Sequence, residues 1–212
     1  RFKTPVSAEF LVPLPKLVFA RRGLVADLAL RRLDGAELRW KPAAGIYQLD
    51  ARVGAFNPAG ARPEDDAGVV VASRLALAIG ALTLHLAFAE HVGPDGAGPT
   101  APLPRDRQLD AALVWSDARW SAHVEGLWAL DAGTAETPYA LYAHLARRVG
   151  AWQPALGYDL LQRGTDDTLT HRVQAALNRE LAGPALIATL AYGLTRADDT
   201  AHEGIVQLQA TF

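Results

Sequence analysis

Ser121, His123 and Glu125 follow one another at every second position, the residue types of a nucleophile, a base and an acid. Nucleophilic catalysis needs the hydroxyl within hydrogen-bond reach of the imidazole. In an extended strand i and i+2 side chains share a face but stand roughly 6–7 Å apart, so a neighbouring strand would have to supply the missing contact. None of Ser7, Ser73, Ser116 and Ser121 lies in a Gly-x-Ser-x-Gly turn, and the chain has no His-Glu-x-x-His pair. Cysteine is absent, which removes thiol nucleophiles, thiolate metal sites and disulfides. These residues point away from an enzyme and imply neither cofactor nor metal. The other chemistry is ionic. Arg39, Lys41, Arg52, Arg74, Arg119, Arg148 and Arg172, with His85, His123 and His144, fall on the same side of their segments as Glu37, Asp50, Asp110, Glu125, Asp159 and Glu180. Positive groups are slightly in excess. Lining a narrow aqueous passage, they would raise the local concentration of anions; paired across neighbouring strands, they would only brace a wall.

The elements that must position them are strands. In the last residues, Val206, Leu208, Ala210 and Phe212 alternate with Gln207, Gln209 and Thr211, so an extended chain carries one apolar and one polar face. An abrupt end on an aromatic after such alternation suggests the closing strand of a transmembrane barrel, its apolar face on lipid and its polar face on water. Val206, Leu208, Ala210 and Phe212 are then the candidate C-terminal signal for the barrel assembly machinery. The same rhythm runs back through Leu30–Lys41, Gly45–Phe56, two strands around Gly80, Gln108–Trp115, Arg119–Leu130, Tyr139–Arg148, Ala155–Leu160, Arg172–Asn178 and Leu186–Leu194. Val69–Ala89 approaches the roughly 20 apolar residues of a membrane helix, but Arg74, His85 and the alternation favour two strands and a turn. With the end of a strand at Arg1–Val6, the count is about twelve, even as in bacterial barrels.

Short turns at 42–44, 80, 117–118, 150–152 and 182–184 alternate with longer polar loops at 57–67, 91–106, 131–137, 164–168 and 198–203, the asymmetry of periplasmic turns and outer loops. Trp40, Trp115, Trp120, Trp128, Trp152, Tyr139, Tyr158 and Tyr192 lie mostly near strand ends, where interfacial girdles sit. A soluble β-sandwich would explain the alternation but neither the loop asymmetry nor the terminal aromatic. The 212 residues show no linker and read as one domain spanning 1–212, with a formal charge of −2 that gives no reason to expect nucleic acid. The start at Arg1 without Met implies a processed or trimmed N-terminus.

Four motifs suggest a family. Phe2-Lys3-Thr4-Pro5-Val6-Ser7-Ala8-Glu9 resembles the Phe-Lys-x-Pro-Phe-Ser-x-Glu segment of the phosphate-selective porin O/P family, and Arg32-Leu33-Asp34-Gly35-Ala36 its Arg-Asp-Ile-Gly-Val strand. Gly54-Ala55-Phe56-Asn57-Pro58-Ala59-Gly60 is similar to the family's Gly-Val-Phe-Asn-Gly-x-Gly, and Val206–Phe212 to its closing strand. The resemblance implies a homotrimeric outer-membrane channel of about sixteen strands, of which these are the last twelve, about four being absent before Arg1. It makes residues 7–29 the loop that folds into the pore, with Lys16, Arg21 and Arg22 at the narrowest point. Val6 in place of the aromatic, and acids mixed among the arginines, depart from the family's pattern and count against phosphate selectivity.

The expected function is an integral outer-membrane porin, in contact with lipid, for passive diffusion of small anionic solutes. It would prefer anions weakly, phosphate or other oxyanions among them. The alternative is a non-conducting barrel that anchors a larger envelope complex.

Overall fold

The alternation becomes strand after strand in the computed structural model, which describes residues 2–3, 6–7, 18–19, 23–29, 32–42, 47–57, 68–92, 107–130, 137–163, 169–182, 186–197 and 199–210. The chain is all-β, with eleven strands in one antiparallel sheet, each beside its neighbour in sequence. They are β3 (Gly35–Trp40), β4 (Tyr47–Phe56), β5 (Val69–Ile79), β6 (Leu82–Val92), β7 (Arg107–Ser116), β8 (Trp120–Leu130), β9 (Tyr139–Arg147), β10 (Trp152–Gln162), β11 (Leu169–Glu180), β12 (Leu186–Arg196) and β13 (Thr200–Ala210). Such a meander needs only hairpin connections. Gly80 and Gly150 turn two of them with φ of +59° and +60°, the left-handed region that costs glycine nothing. In the β7–β8 turn the Asp117 carboxylate accepts from the backbone N–H of Arg119 and of Trp120, both at 2.7 Å.

Among the described residues the main sheet holds eleven strands, in line with the expected all-β antiparallel chain of about twelve. Of the first expected strand the described part is β1 (Phe2–Lys3), which pairs with β2 (Arg32–Leu33) in a separate two-stranded ladder. The strand expected over Leu30–Lys41 breaks at Asp34, because Leu33 turns into an inner apolar cluster with Phe56, Val70 and Leu127 while Gly35 starts the pairing with β4. Among the described residues β3 and β13 have a neighbour on one side only.

The two faces of the sheet invert the pattern of a soluble sandwich. Leu75, Leu84, Leu86, Leu109, Leu113, Leu145, Leu156, Leu190 and Leu208 are exposed, Val206 to 85% and Leu38 to 76%. On the opposite face Glu125 and Asp159 are 0% exposed, and Gln108, Asp110, His123, Gln174 and Asn178 are buried. No second sheet covers the apolar side among the described residues. On the buried side pack Val6, Phe19 and the four-residue helix α1 (Val25–Leu28), the helix lying on β8, β9 and β10.

Candidate functional site

The register assembles the inner face as rows that cross the strands. Asp50, Ala76, His85, Ala112, Glu125, Tyr142, Asp159, Arg172 and Thr195 are successive cross-strand partners from β4 to β12. The next row runs Arg39, Arg52, Arg74, Ala87, Asp110, Leu127, Ala140 and Leu161. Every residue in these rows was expected on the inner side or lies on the same alternation. Side chains directly opposite one another on neighbouring strands have Cβ atoms about 5 Å apart, so the rows bring together groups far apart in sequence.

Those groups pair. Arg39 donates to both carboxylate oxygens of Asp50, from Nε at 2.9 Å and Nη2 at 2.6 Å, and Arg52 does the same at 3.3 and 3.0 Å. Arg52 also lies 3.7 Å from Glu37. Arg172 Nε donates to Asp159 at 3.0 Å. Arg74 differs, since its guanidinium hydrogen-bonds Nδ1 of His85 rather than a carboxylate. Arg119 and Arg148 do not stand on the wall. Arg119 is exposed in the β7–β8 turn because the Asp117 cap delays β8 to Trp120, and Arg148, exposed beyond β9, pairs with Glu180 at 3.0 Å. The two backbone N–H groups that favour its ionised form hold the Asp117 carboxyl below its ordinary pKa. Lys16, Arg21, Arg22 and Phe212 lie outside the described residues, whereas Val206, Leu208 and Ala210 are exposed on the apolar face of β13.

Asp159, already expected on the inner side, and Asn178 hold the inner segment. Asp159 accepts the backbone N–H of Leu24 at 2.9 Å and Nε2 of Gln174 at 2.6 Å, besides Arg172. Gly23 makes the approach possible, because a Cβ there would come within 2.7 Å of both Asp159 and Tyr142. Asn178 donates to the carbonyl of Val18 at 2.9 Å and accepts from Thr189 at 2.7 Å. Phe19 fills the slot left by Gly157, where a Cβ would meet its ring at 2.8 Å, and packs with Ala146, Ala155, Ala176 and Ala191. An inward glycine or a run of inward alanines in a strand is the one local signal that something approaches there. Across the sheet at Gly193 a Cβ would find nothing within 4 Å.

His144 supplies the cross-strand contact that Ser121 lacked, with Nε2 3.5 Å from the serine Oγ, while the Tyr142 hydroxyl stands 2.8 Å from Nδ1. With Tyr142 donating to Nδ1, the imidazole proton sits on Nε2, which then cannot take a proton from serine. His123 Nε2 lies 2.9 Å from Glu125 Oε2 without the alignment of a hydrogen bond. No group of three or more His, Asp and Glu side chains among the described residues could hold a metal ion.

No protein-family model, curated protein or solved structure matches this chain. The likeness to the phosphate-selective porins therefore rests on the short motifs alone.

Proposed function

We propose that this chain is an outer-membrane β-barrel that forms a water-filled passage for passive diffusion of small solutes, with a weak preference for anions. The observation that carries the reading is the inversion of the sheet, with leucines and valines bare on one face and ion pairs on the other. An apolar surface of that extent is stable against lipid and not against water. From β4 onward the strands have nine to twelve residues, close to the ~9–11 that a tilted strand needs to cross the hydrocarbon. A bilayer does not tolerate unpaired strand edges. In the membrane β3 and β13 then pair with each other or, as the family likeness implies, with further strands of a larger barrel and a homotrimer.

On this reading the segment around Phe19 and α1 narrows the β8–β11 side, and solutes pass beside β12, where Gly193 faces open space. Pairing explains why the preference is weak. Asp50 neutralises much of Arg39 and Arg52, and Asp159 does so for Arg172, leaving Arg74 as the inner cation bonded to a neutral partner. Phosphate and other oxyanions are the anions to test first.

The test is single-channel conductance in a planar bilayer under a salt gradient. Discrete steps with an anion-leaning reversal potential are expected, moving toward cations in Arg74→Ala more than in Arg39→Ala. An unchanged reversal potential in both variants removes the assigned role of the arginines. Val25, Leu127 and Leu161 are 0–1% exposed in the packed interior, and this favours a second reading, a closed structural barrel that anchors an envelope complex. A folded barrel that never conducts would establish that one.

A further inference from the structure

The apolar outer face carries one polar feature that a solute pathway does not use. Tyr158 hydrogen-bonds Nδ1 of His171 at 2.7 Å, and Tyr192 hydrogen-bonds Nδ1 of His202. Both pairs stand on the outer face with their rings tilted by 44° at centroid distances of 6.2 and 6.1 Å, so neighbouring hairpins repeat one arrangement. A tyrosine hydroxyl that donates to Nδ1 fixes the imidazole as the Nε2–H form, with its remaining donor directed away from the tyrosine. Arg196 completes the set. It is the cross-strand partner of His171 and pairs with Thr200, two residues before His202 on the same face, which places its Cβ about 7 Å from that of His202. The outer positions of β10–β13 hold no carboxylate, since Asp159, Glu180 and Glu203 occupy inner positions. All three donors sit at the end of the sheet that carries the β4–β5 and β6–β7 connections, although β12 and β13 themselves are joined across 197–199 only, since β13 begins at Thr200 within the loop expected over 198–203.

We infer that His171, Arg196 and His202 form a docking site for the phosphate of a lipid headgroup in the outer leaflet. The inference rests on the membrane reading above. The long-loop end of a bacterial barrel faces the cell exterior, and interfacial aromatics sit at headgroup depth. There a guanidinium flanked by two imidazoles faces a phosphate with charge-assisted hydrogen bonds, while Asp199 stands beside it in the β12–β13 turn and not on the outer face of a strand. The opposite rim is built differently, with Arg147 over Trp120 at 5.1 Å and Arg179 over Trp152 at 4.8 Å. Those guanidiniums lie on indole faces, a packing that does not present them as a group.

The experiment uses the full chain folded in octyl glucoside, a detergent without phosphate, and measures retention of a bisphosphorylated glycolipid against the same glycolipid without phosphate. Heat-modifiable migration reports barrel formation separately from lipid binding. Wild type is expected to retain the phosphorylated lipid, and a variant combining His171→Gln, Arg196→Ala and His202→Gln to bind it about tenfold more weakly. Tyr158→Phe with Tyr192→Phe keeps the rings but frees the imidazoles, and is expected to weaken binding with migration unchanged. Equal retention by wild type and the triple variant, or by the lipid lacking phosphate, overturns the site while leaving the barrel standing. Displacement by inorganic phosphate at equal concentration overturns the lipid assignment and points to a free anion. A chain that never forms a heat-modifiable barrel overturns the membrane reading and this inference together.

Discussion

Asp159 joins the wall to the inner segment by one carboxylate. It is fully buried and takes hydrogen bonds from Leu24, Arg172 and Gln174, so Asp159→Ala removes one buried ion pair of Arg172 and the anchor of Leu24. Breaking a buried ion pair costs about 3–5 kcal/mol, and detachment of the segment should make residues 18–29 sensitive to protease in a folded barrel. A protected segment in that variant would show that Asp159 does not hold it. Asp117 makes a different prediction, because its carboxyl is held below its ordinary pKa in the folded turn. Its contribution is present above the unfolded pKa of about 3.9 and is lost as pH falls through the lowered folded value. Asp117→Asn should therefore lower stability at pH 7 and narrow that deficit as the pH is taken well below 3, read from denaturant midpoints. A deficit of the same size at both pH values would assign the effect to geometry rather than charge.

The β9–β11 surface and the segment it carries fit through small residues. Phe19 lies against Gly157, Ala146, Ala155 and Ala176, a trough that any larger side chain would fill. Truncation in Phe19→Ala should cost about 3–5 kcal/mol if the site cannot collapse. Gly157→Leu should expel the ring instead, and wider conductance steps with an intact barrel would place the segment in the conducting path. Gly193 supplies the opposite test. With open space around it, Gly193→Trp is expected to fold normally and reduce the single-channel current, whereas an unchanged current would put the solute path elsewhere.

The whole molecule is a sheet with its polarity reversed, and under the proposed function the membrane is the solvent that stabilises it. Leu86 and Leu190 stand near the middle of their strands on the exposed face. Arginine at either position should destabilise a barrel folded in vesicles by about 2–4 kcal/mol, the cost of a cation at the bilayer midplane. Arginine at Leu130, the last residue of β8, should cost far less. Equal costs at the two depths, measured by denaturant unfolding from vesicles, would contradict a spanning orientation.

Alternation is a local property, since each residue's face depends only on its position in an extended strand. The sequence alone therefore determined which side of every strand is apolar, where the chain turns at Gly80, Asp117 and Gly150, and that Arg52, Arg74, Asp159 and Arg172 look inward. Partnership is not local. That Asp50 binds two arginines follows from the register of β3 and β4, and that Asp159 and Asn178 hold the inner segment depends on contacts spanning 135 and 160 residues. Only the tertiary structure could decide that Arg39, Arg52, Arg148 and Arg172 are already paired. The same holds for Arg119, whose side of the wall was lost to a two-residue cap, and for the pairing of Tyr158 and Tyr192 with histidines on adjacent strands.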